Sequence, residues 1–431
     1  MRFVFVNPYF PPHAPGGAEY SLEQICKCFP QKGWPVHVVT NAWDGKPRKE
    51  IFPGYTIERI PSPVIMSPGQ DGEAWDYVFS RKYVTDVVQA LMKMDFSLPT
   101  TLIANNAQSY LPVVLAGRYL KLPTVGIVRD VQPICEIGAC IDNQKAEIAI
   151  PCQGIRGAIH CQIASHISTG KPLGRLLPYL IISGFRKGWR RRNLQLYGLA
   201  RFDRIVVISH ALQSLIGRIA YVSKSKISVI RNFYTHEEPA APREVEDFLK
   251  KHALKEQEFF IVAGKKSYGK GSDIAVAAVD RLRNIRTNIR VLFVGKGKLM
   301  VSPSDSYVDS PSVSQPLLLA LLQASAGLLV PGRWQEGLHR TMIDALRYGI
   351  PIVCSEAGGV SEGVVAGQNG YVFPCCDVEA CSENLRRVIQ WSDVQRDACI
   401  NTSSILFNQQ FSDEKILGQW EMLFKELLIR N

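Results

Sequence analysis

No apolar run in this 431-residue chain is long enough to span a bilayer. The first such run, Phe3–Val6, is closed by Asn7-Pro8 and is far shorter than the apolar core of a signal peptide. Nothing repeats at a solenoid period, and no low-complexity tract interrupts the chain. The first strand-to-helix turn lacks Gly-x-Gly-x-x-Gly, which disfavours a dinucleotide oxidoreductase. Zinc-finger spacings, RNA-recognition signatures and helix-turn-helix strings are missing too, so nucleic acid is the weakest partner for the net charge of +11. That charge points instead to anionic partners such as nucleotide diphosphates or anionic lipid. The cysteines number 11, an odd count, and without a secretory signal they fit reduced thiols better than a disulfide framework. The expected location is the cytoplasm, with peripheral contact at the inner membrane face open.

What is present is an alternation. Strand-like runs at Met1–Val6, Val36–Thr40, Thr101–Ala104, Pro123–Val128 and Arg204–Ile208 are separated by helical stretches, the first over Ala18–Phe29. The pattern restarts at Phe259–Val262, Ile289–Val294, Gly327–Val330 and Ile350–Cys354. Two such series predict an α/β protein of two doubly wound domains. The break is expected near Asn232–Arg243, where Pro239-Ala240-Ala241-Pro242 interrupts the pattern. The domain boundaries expected are 1–235, 236–408 and a final segment 409–431. Within that segment, Asp413–Leu428 carries an apolar stripe at Ile416, Trp420, Leu423 and Leu427.

Residues 331–362 say most about function. An apolar strand ends at Pro331-Gly332, Glu336 follows in the loop, and a short amphipathic helix carries Asp344 before Gly349. A second strand then runs into Gly358-Gly359 and Glu362. Acids and glycines are thereby gathered beyond strand ends, where open α/β sheets bind ligands. Carboxylates suit sugar hydroxyls, and a helix N-terminus suits phosphate. The chemistry suggested is recognition of a sugar diphosphate, with the backbone of Gly337, Leu338, His339 and Arg340 toward the phosphates. Two further strings fit. Gly16-Gly17 precede the first helix, and Gly264-Lys265 with Lys270-Gly271 follow the strand that opens the second series.

Together these strings resemble the family-four retaining glycosyltransferases (glycosyl transferases group 1). The family motif Glu-x7-Glu is matched at Glu336, Gly337, Ala345, Gly349 and Pro351, with Asp344 at the second acid and His339 where a glycine is usual. Pro11-Pro12…Gly16-Gly17-Ala18-Glu19 resembles the family's opening, with one extra residue in the loop. Lys265 stands at the family's Arg position and Lys270 at its Lys position. The resemblance implies a GT-B fold: two Rossmann-like domains facing across a cleft, the last helix returning to the first domain. It implies an enzyme that moves a hexose-type sugar from a nucleotide-diphosphate sugar to an acceptor hydroxyl. The acceptor belongs to the first domain and the donor to the second. Glu336 would take the sugar hydroxyls and transition-state charge, Lys265 and Lys270 the diphosphate, and Asp344 the ribose. Gly16, Gly17 and Gly264 would make close backbone contacts.

Arg129-Asp130 follows a strand where many relatives have His-Asp beside the reacting sugar, so both are expected in the catalytic cleft. In the family's mechanism a leaving-phosphate oxygen takes the acceptor proton. No Asp-x-Asp pair occurs in the chain, so no divalent metal and no other cofactor is expected.

Two features stay open. Cys135, Cys140, Cys152 and Cys161, spaced by 4, 11 and 8 residues, form either a metal site or free thiols. Residues 176–192 join an apolar run to five cations and a Trp, which suits either a membrane surface bearing a lipid-linked acceptor or a linker helix packed on its own domain. The swaps at His339, Asp344 and Arg129 also leave room for a non-catalytic nucleotide-sugar or glycan-binding subunit.

Overall fold

The computed structural model describes residues 1–14, 16–65, 72–134, 154–167, 174–190, 196–219, 222–234, 236–266, 268–284, 288–299, 301–335 and 337–429. The chain divides into two compact units. Among the described residues, the first gathers those up to 233 together with 413–429, and the second those from 234 to 412.

The first unit is built on eight strands: β1 (Arg2–Val6), β2 (Val36–Ala42), β3 (Arg48–Phe52), β4 (Tyr55–Pro61), β5 (Thr100–Ala104), β6 (Thr124–Val128), β7 (Arg204–Val207) and β8 (Ile227–Val229). They lie in the order β3-β4-β2-β1-β5-β6-β7-β8. All pairs are parallel except β3 with β4. Parallel strands covered on both faces are continuously apolar, and Phe3, Val4, Phe5 and Val6 are fully buried. The antiparallel edge differs. Arg48-Lys49-Glu50-Ile51-Phe52 is largely exposed, and its charges blunt the sheet edge. This hairpin has no βα period, which is why the sequence shows no element between 45 and 61.

The helix Asp413–Ile429 packs in this unit although it closes the chain. Ile416, Trp420, Leu423 and Leu427 are buried, and Phe424 stacks on Phe3 of β1 with ring centroids 4.0 Å apart. Trp420 meets Phe29 edge-on at 5.6 Å. An edge-to-face or stacked aromatic pair adds about 0.5–1.5 kcal/mol beyond its area.

The second unit has six strands: β9 (Phe259–Ala263), β10 (Arg290–Val294), β11 (Tyr307–Ser310), β12 (Gly327–Val330), β13 (Ile352–Ser355) and β14 (Gly370–Phe373). The order is β11-β10-β9-β12-β13-β14, parallel throughout. The order reverses direction at β9, so β10 and β12 flank it and their carboxyl ends open a crevice. Short edge strands β11 and β14 were not legible as strands: Tyr307-Val308-Asp309-Ser310 mixes polar and apolar residues.

Candidate functional site

The crevice beyond β9 is built residue by residue. The chain leaves β9 at Ala263 and turns at Gly264, whose φ of +118° excludes a side chain on conformational grounds. A Cβ there would meet nothing within 4 Å, so the space beside the backbone is open. The next two lysines diverge because side chains alternate along an extended backbone. Lys265 is exposed. Lys266 turns inward, where its ammonium donates to the Ser310 carbonyl at 2.7 Å and pairs with Asp309. Its backbone N–H donates to Lys296 O at 2.8 Å. Both contacts pin the loop to the ends of β10 and β11.

Beyond it a single turn, Tyr268–Lys270, leads to the helix Ser272–Arg283. Arg333, buried in the loop after β12, holds that helix start with a two-pronged bond to Asp273 at 2.7 and 2.6 Å. Its backbone N–H donates to Gly269 O at 2.9 Å. A shallow hollow results, lined by Lys265, Lys266, Lys270, Ser272 and His339 over an apolar floor that includes Val262 and Phe293.

The electrostatics favour an anion. Lys265 and Lys270 reach the hollow, and it lies at the N-terminus of Ser272–Arg283 and beside His339, the N-cap of the helix Arg340–Tyr348. Helix N-termini carry unpaired N–H groups and about half a positive charge. Ser272 is 5% exposed, and its hydroxyl has no hydrogen-bond partner. An unsatisfied buried hydroxyl costs about 1–3 kcal/mol, which a ligand oxygen would recover.

The residues expected around residue 340 are distributed as follows. Gly337 is buried, Leu338 packs against the core of the unit, and Arg340 is exposed. His339 is buried and lines the hollow. Asp344 lies in the second turn of its helix, buried, and is not among the lining residues. Its Oδ2 accepts a bond from Gln315 Nε2 at 3.1 Å. Burial pushes its pKa up to about 6, against the lowering effects of the Gln315 bond and the Arg340 charge. Glu336, the acid expected at the sugar, lies outside the described residues.

The strand ends of the first unit are arranged differently. Gly16 is the N-cap of the helix Gly17–Cys28. Its N–H donates to Glu19 Oε2 at 3.0 Å, and Asn7 Nδ2 donates to Glu19 Oε1 at 3.5 Å. Glu19 thus supplies the acidic half of a capping box, the glycine having no side chain to complete it, and the Gly-x-x-Glu spacing alone could have flagged it. Arg129, after β6, donates through Nε and Nη2 to Asn105 Oδ1 at 3.0 and 2.6 Å, and through Nη1 to Asn232. Asn105 in turn donates to Ala18 O at 3.3 Å. Burial pushes the Glu19 carboxyl up and pulls Arg129 down to about 10, each moderated by the other's charge. Asp130 accepts from the Gln132 N–H at 2.8 Å. It shows surface to solvent, yet protein crowds the carboxyl and raises its pKa. Nothing in the sequence flagged Asn105, Asn232, Lys266 or Ser272.

Cys135, Cys140 and Cys152 lie outside the described residues, and Cys161 is placed only as backbone in the helix Gly154–Ile167. Among the described residues, no group of three or more His, Cys, Asp or Glu is placed to hold a metal ion. No helix among them is long and apolar enough to cross a membrane.

Comparison with known proteins bears on the family of the second unit and on the fold. Residues 244–403, nearly all of the second unit, match the family model described as glycosyl transferases group 1. The N-acetyl-α-D-glucosaminyl L-malate synthase of Bacillus anthracis is 20% identical over 261 residues, 55% of this chain and 63% of that protein. A glycogen synthase of Mycobacterium tuberculosis is 27% identical over 142 residues, 30% of this chain and 33% of that protein. The chain therefore spans less than two thirds of either curated relative. Among solved structures, a sucrose-phosphate synthase from Thermosynechococcus elongatus superposes with a TM-score of 0.68 at 16% identity, covering 100% of both chains. HepE of Anabaena, in complex with UDP and glucose, gives 0.63 at 16% identity over 99% of this chain and 100% of its own. At such identities the likeness speaks for the fold. The family match places a group 1 glycosyltransferase domain in the second unit, and the full-length likeness gives the whole chain the GT-B fold.

Proposed function

We propose that this protein moves a sugar, of hexose type, from a nucleotide-diphosphate donor to an acceptor hydroxyl, with retention of configuration and without a bound divalent metal. The observation that carries this reading is the hollow beyond β9, where Lys265, Lys270, the buried Ser272 hydroxyl and a helix N-terminus converge. Breaking the bond between sugar C1 and the diphosphate oxygen leaves negative charge on the nucleoside diphosphate. Fixed cations and N–H groups stabilise that charge as it develops, in place of a metal ion. A bond forms between the acceptor oxygen and C1, and the hydroxyl proton passes to a leaving-phosphate oxygen. Glu336 takes the sugar hydroxyls. Asp344, buried with Gln315, holds the ribose through whichever carboxylate oxygen the nucleotide reaches. Arg129 and Asp130 position the strand ends of the first unit, which recognises the acceptor.

The test is calorimetric titration with UDP, GDP, ADP and their common sugar conjugates, followed by turnover with the conjugate that binds. Transfer, or slow release of free sugar, should persist in EDTA and give a product whose anomeric configuration matches the donor by NMR. Binding with no turnover of any bound conjugate would instead favour a nucleotide-sugar-binding subunit.

A further inference from the structure

The helix Leu177–Arg190 wears its large apolar side chains on the outside. Its inner stripe is Leu180, Gly184 and Gly188, spaced by four and buried. That stripe packs on the helix Gly154–Ile167 so closely that a Cβ on Gly184 would stand 2.6 Å from Ile159 Cα. A Cβ on Gly188 would stand 3.0 Å from Ile155 Cα. The two helices therefore meet backbone to backbone through small residues. Those lie on the opposite face: Tyr179 is 67% exposed, Ile182 59%, Phe185 50% and Trp189 41%. At 100° per residue these four fall within one third of the helix circumference, and exposed Arg186 sits among them.

A soluble monomer seldom leaves such a contiguous apolar face uncovered. The surrounding sequence decides what covers it. Residues 148–202 contain nine Lys and Arg and no Asp or Glu. A second copy of this chain, meeting the face about a two-fold axis, would bring the same cations against these and no acid to pair them. An anionic lipid surface offers the complementary charge together with an apolar interior. Trp and Tyr favour the headgroup level, and a helix of this kind lies in the interface plane. We infer that the Tyr179–Ile182–Phe185–Trp189 face docks the first unit on a bilayer bearing anionic headgroups. The inference is independent of the donor chemistry.

Co-sedimentation of the full chain with vesicles tests it. Vesicles of phosphatidylcholine alone should leave the protein in solution, and vesicles containing phosphatidylglycerol should carry it down, less so as salt is raised. Phe185→Ser with Trp189→Ser should weaken partitioning by at least about tenfold, since two large side chains leave the membrane. Arg186→Glu should weaken it several-fold, an effect that salt removes. Both variants should melt as the parent does, because these side chains are exposed. Three results would overturn the inference: no association with either vesicle, binding that ignores both variants, or a dimer by light scattering that Phe185→Ser with Trp189→Ser turns into a monomer. A lowered melting temperature in the double variant would also overturn it, by revealing a face packed against its own chain.

Discussion

The strand ends of the two units use the same parts in opposite ways. In the first unit the Arg129 and Glu19 clusters are paired internally, Arg129 with Asn105 and Asn232, Glu19 with Gly16 and Asn7, while Asn7 Oδ1 and the buried Asn41 amide lack partners. In the second unit Lys266 is consumed in the same manner, by Asp309 and Ser310. Its neighbours Lys265 and Lys270 face a hollow beside a helix N-terminus, and the Ser272 hydroxyl lacks a partner. The Arg129 and Glu19 side chains are used up in holding their own backbone, whereas the hollow of the second unit keeps a buried hydroxyl available to a ligand. A paired polar group positions a backbone; a buried hydroxyl without a partner, such as that of Ser272, is available to a ligand.

The largest effect expected from this contrast is at Lys270. Lys270→Ala should lower kcat by about a hundredfold or more, the loss of one charge-stabilising contact being about 2.7–4 kcal/mol of barrier. Nucleoside diphosphate should then no longer raise the melting temperature. If Lys270→Ala binds and turns over as the parent does, the hollow is not the donor site and the comparison fails.

Asp344 comes next, because it shows what burial without full compensation costs. A carboxyl whose folded pKa is raised to about 6 contributes stability below its usual pKa and loses it as pH rises through 6. The parent is therefore penalised at neutral pH. Asp344→Asn stays uncharged and still accepts the Gln315 bond. It should gain stability over the parent by up to about 3 kcal/mol at pH 8 and by almost nothing at pH 4. Urea midpoints at the two pH values give the comparison directly; an equal difference at both would place the carboxyl's cost elsewhere. If Asp344 also holds the ribose, the same variant loses nucleotide affinity while gaining stability.

Arg129 tests the other side. Arg129→Ala leaves the Asn105 and Asn232 oxygens short of a donor, and hydrogen bonds to a charged group contribute about 1.5–3 kcal/mol. Stability of the first unit should fall by about 2 kcal/mol, read as an earlier urea transition, while the dissociation constant for nucleoside diphosphate is unchanged. A shift in that constant as large as the one at Lys270 would erase the distinction between a paired scaffold and a ligand site.

How much of this was legible in the sequence follows from the physics of each element. The buried parallel strands β1, β9, β10 and β12 announce themselves as unbroken apolar runs, because both faces are covered. The stripe Ile416, Trp420, Leu423, Leu427 announced a helix, but periodicity cannot name the partner, and only coordinates place Phe424 on Phe3. At the site, glycines and lysines in fixed spacing marked the hollow. The division of labour between Lys265 and Lys266 was illegible, since two adjacent lysines look alike until the backbone turns one inward. Asn105, Asn232 and Arg129 lie on separate segments, 24 and 103 residues from Arg129, and no local pattern joins them. Asp344 was legible as an acid on a helix, while its burial depends on Gln315, 29 residues away.

The smallest expected effect sharpens the comparison most. Ser272 is the first residue of its helix, where a serine hydroxyl is not needed to cap the N-terminus; Gly271 holds the N-cap position. Its hydroxyl therefore contributes nothing to the fold that alanine, a better helix former, would not supply. Ser272→Ala should stabilise the protein by about 1 kcal/mol, since it removes an unsatisfied buried hydroxyl and places a better helix former there, read as a later urea midpoint. Affinity for nucleoside diphosphate should nevertheless fall several-fold, as expected for one neutral hydrogen bond of about 1 kcal/mol. Opposite signs for stability and binding at one atom would mark the hydroxyl as a ligand group. If both fall together, Ser272 belongs with the paired scaffold, and the second unit keeps less in reserve than its geometry suggests.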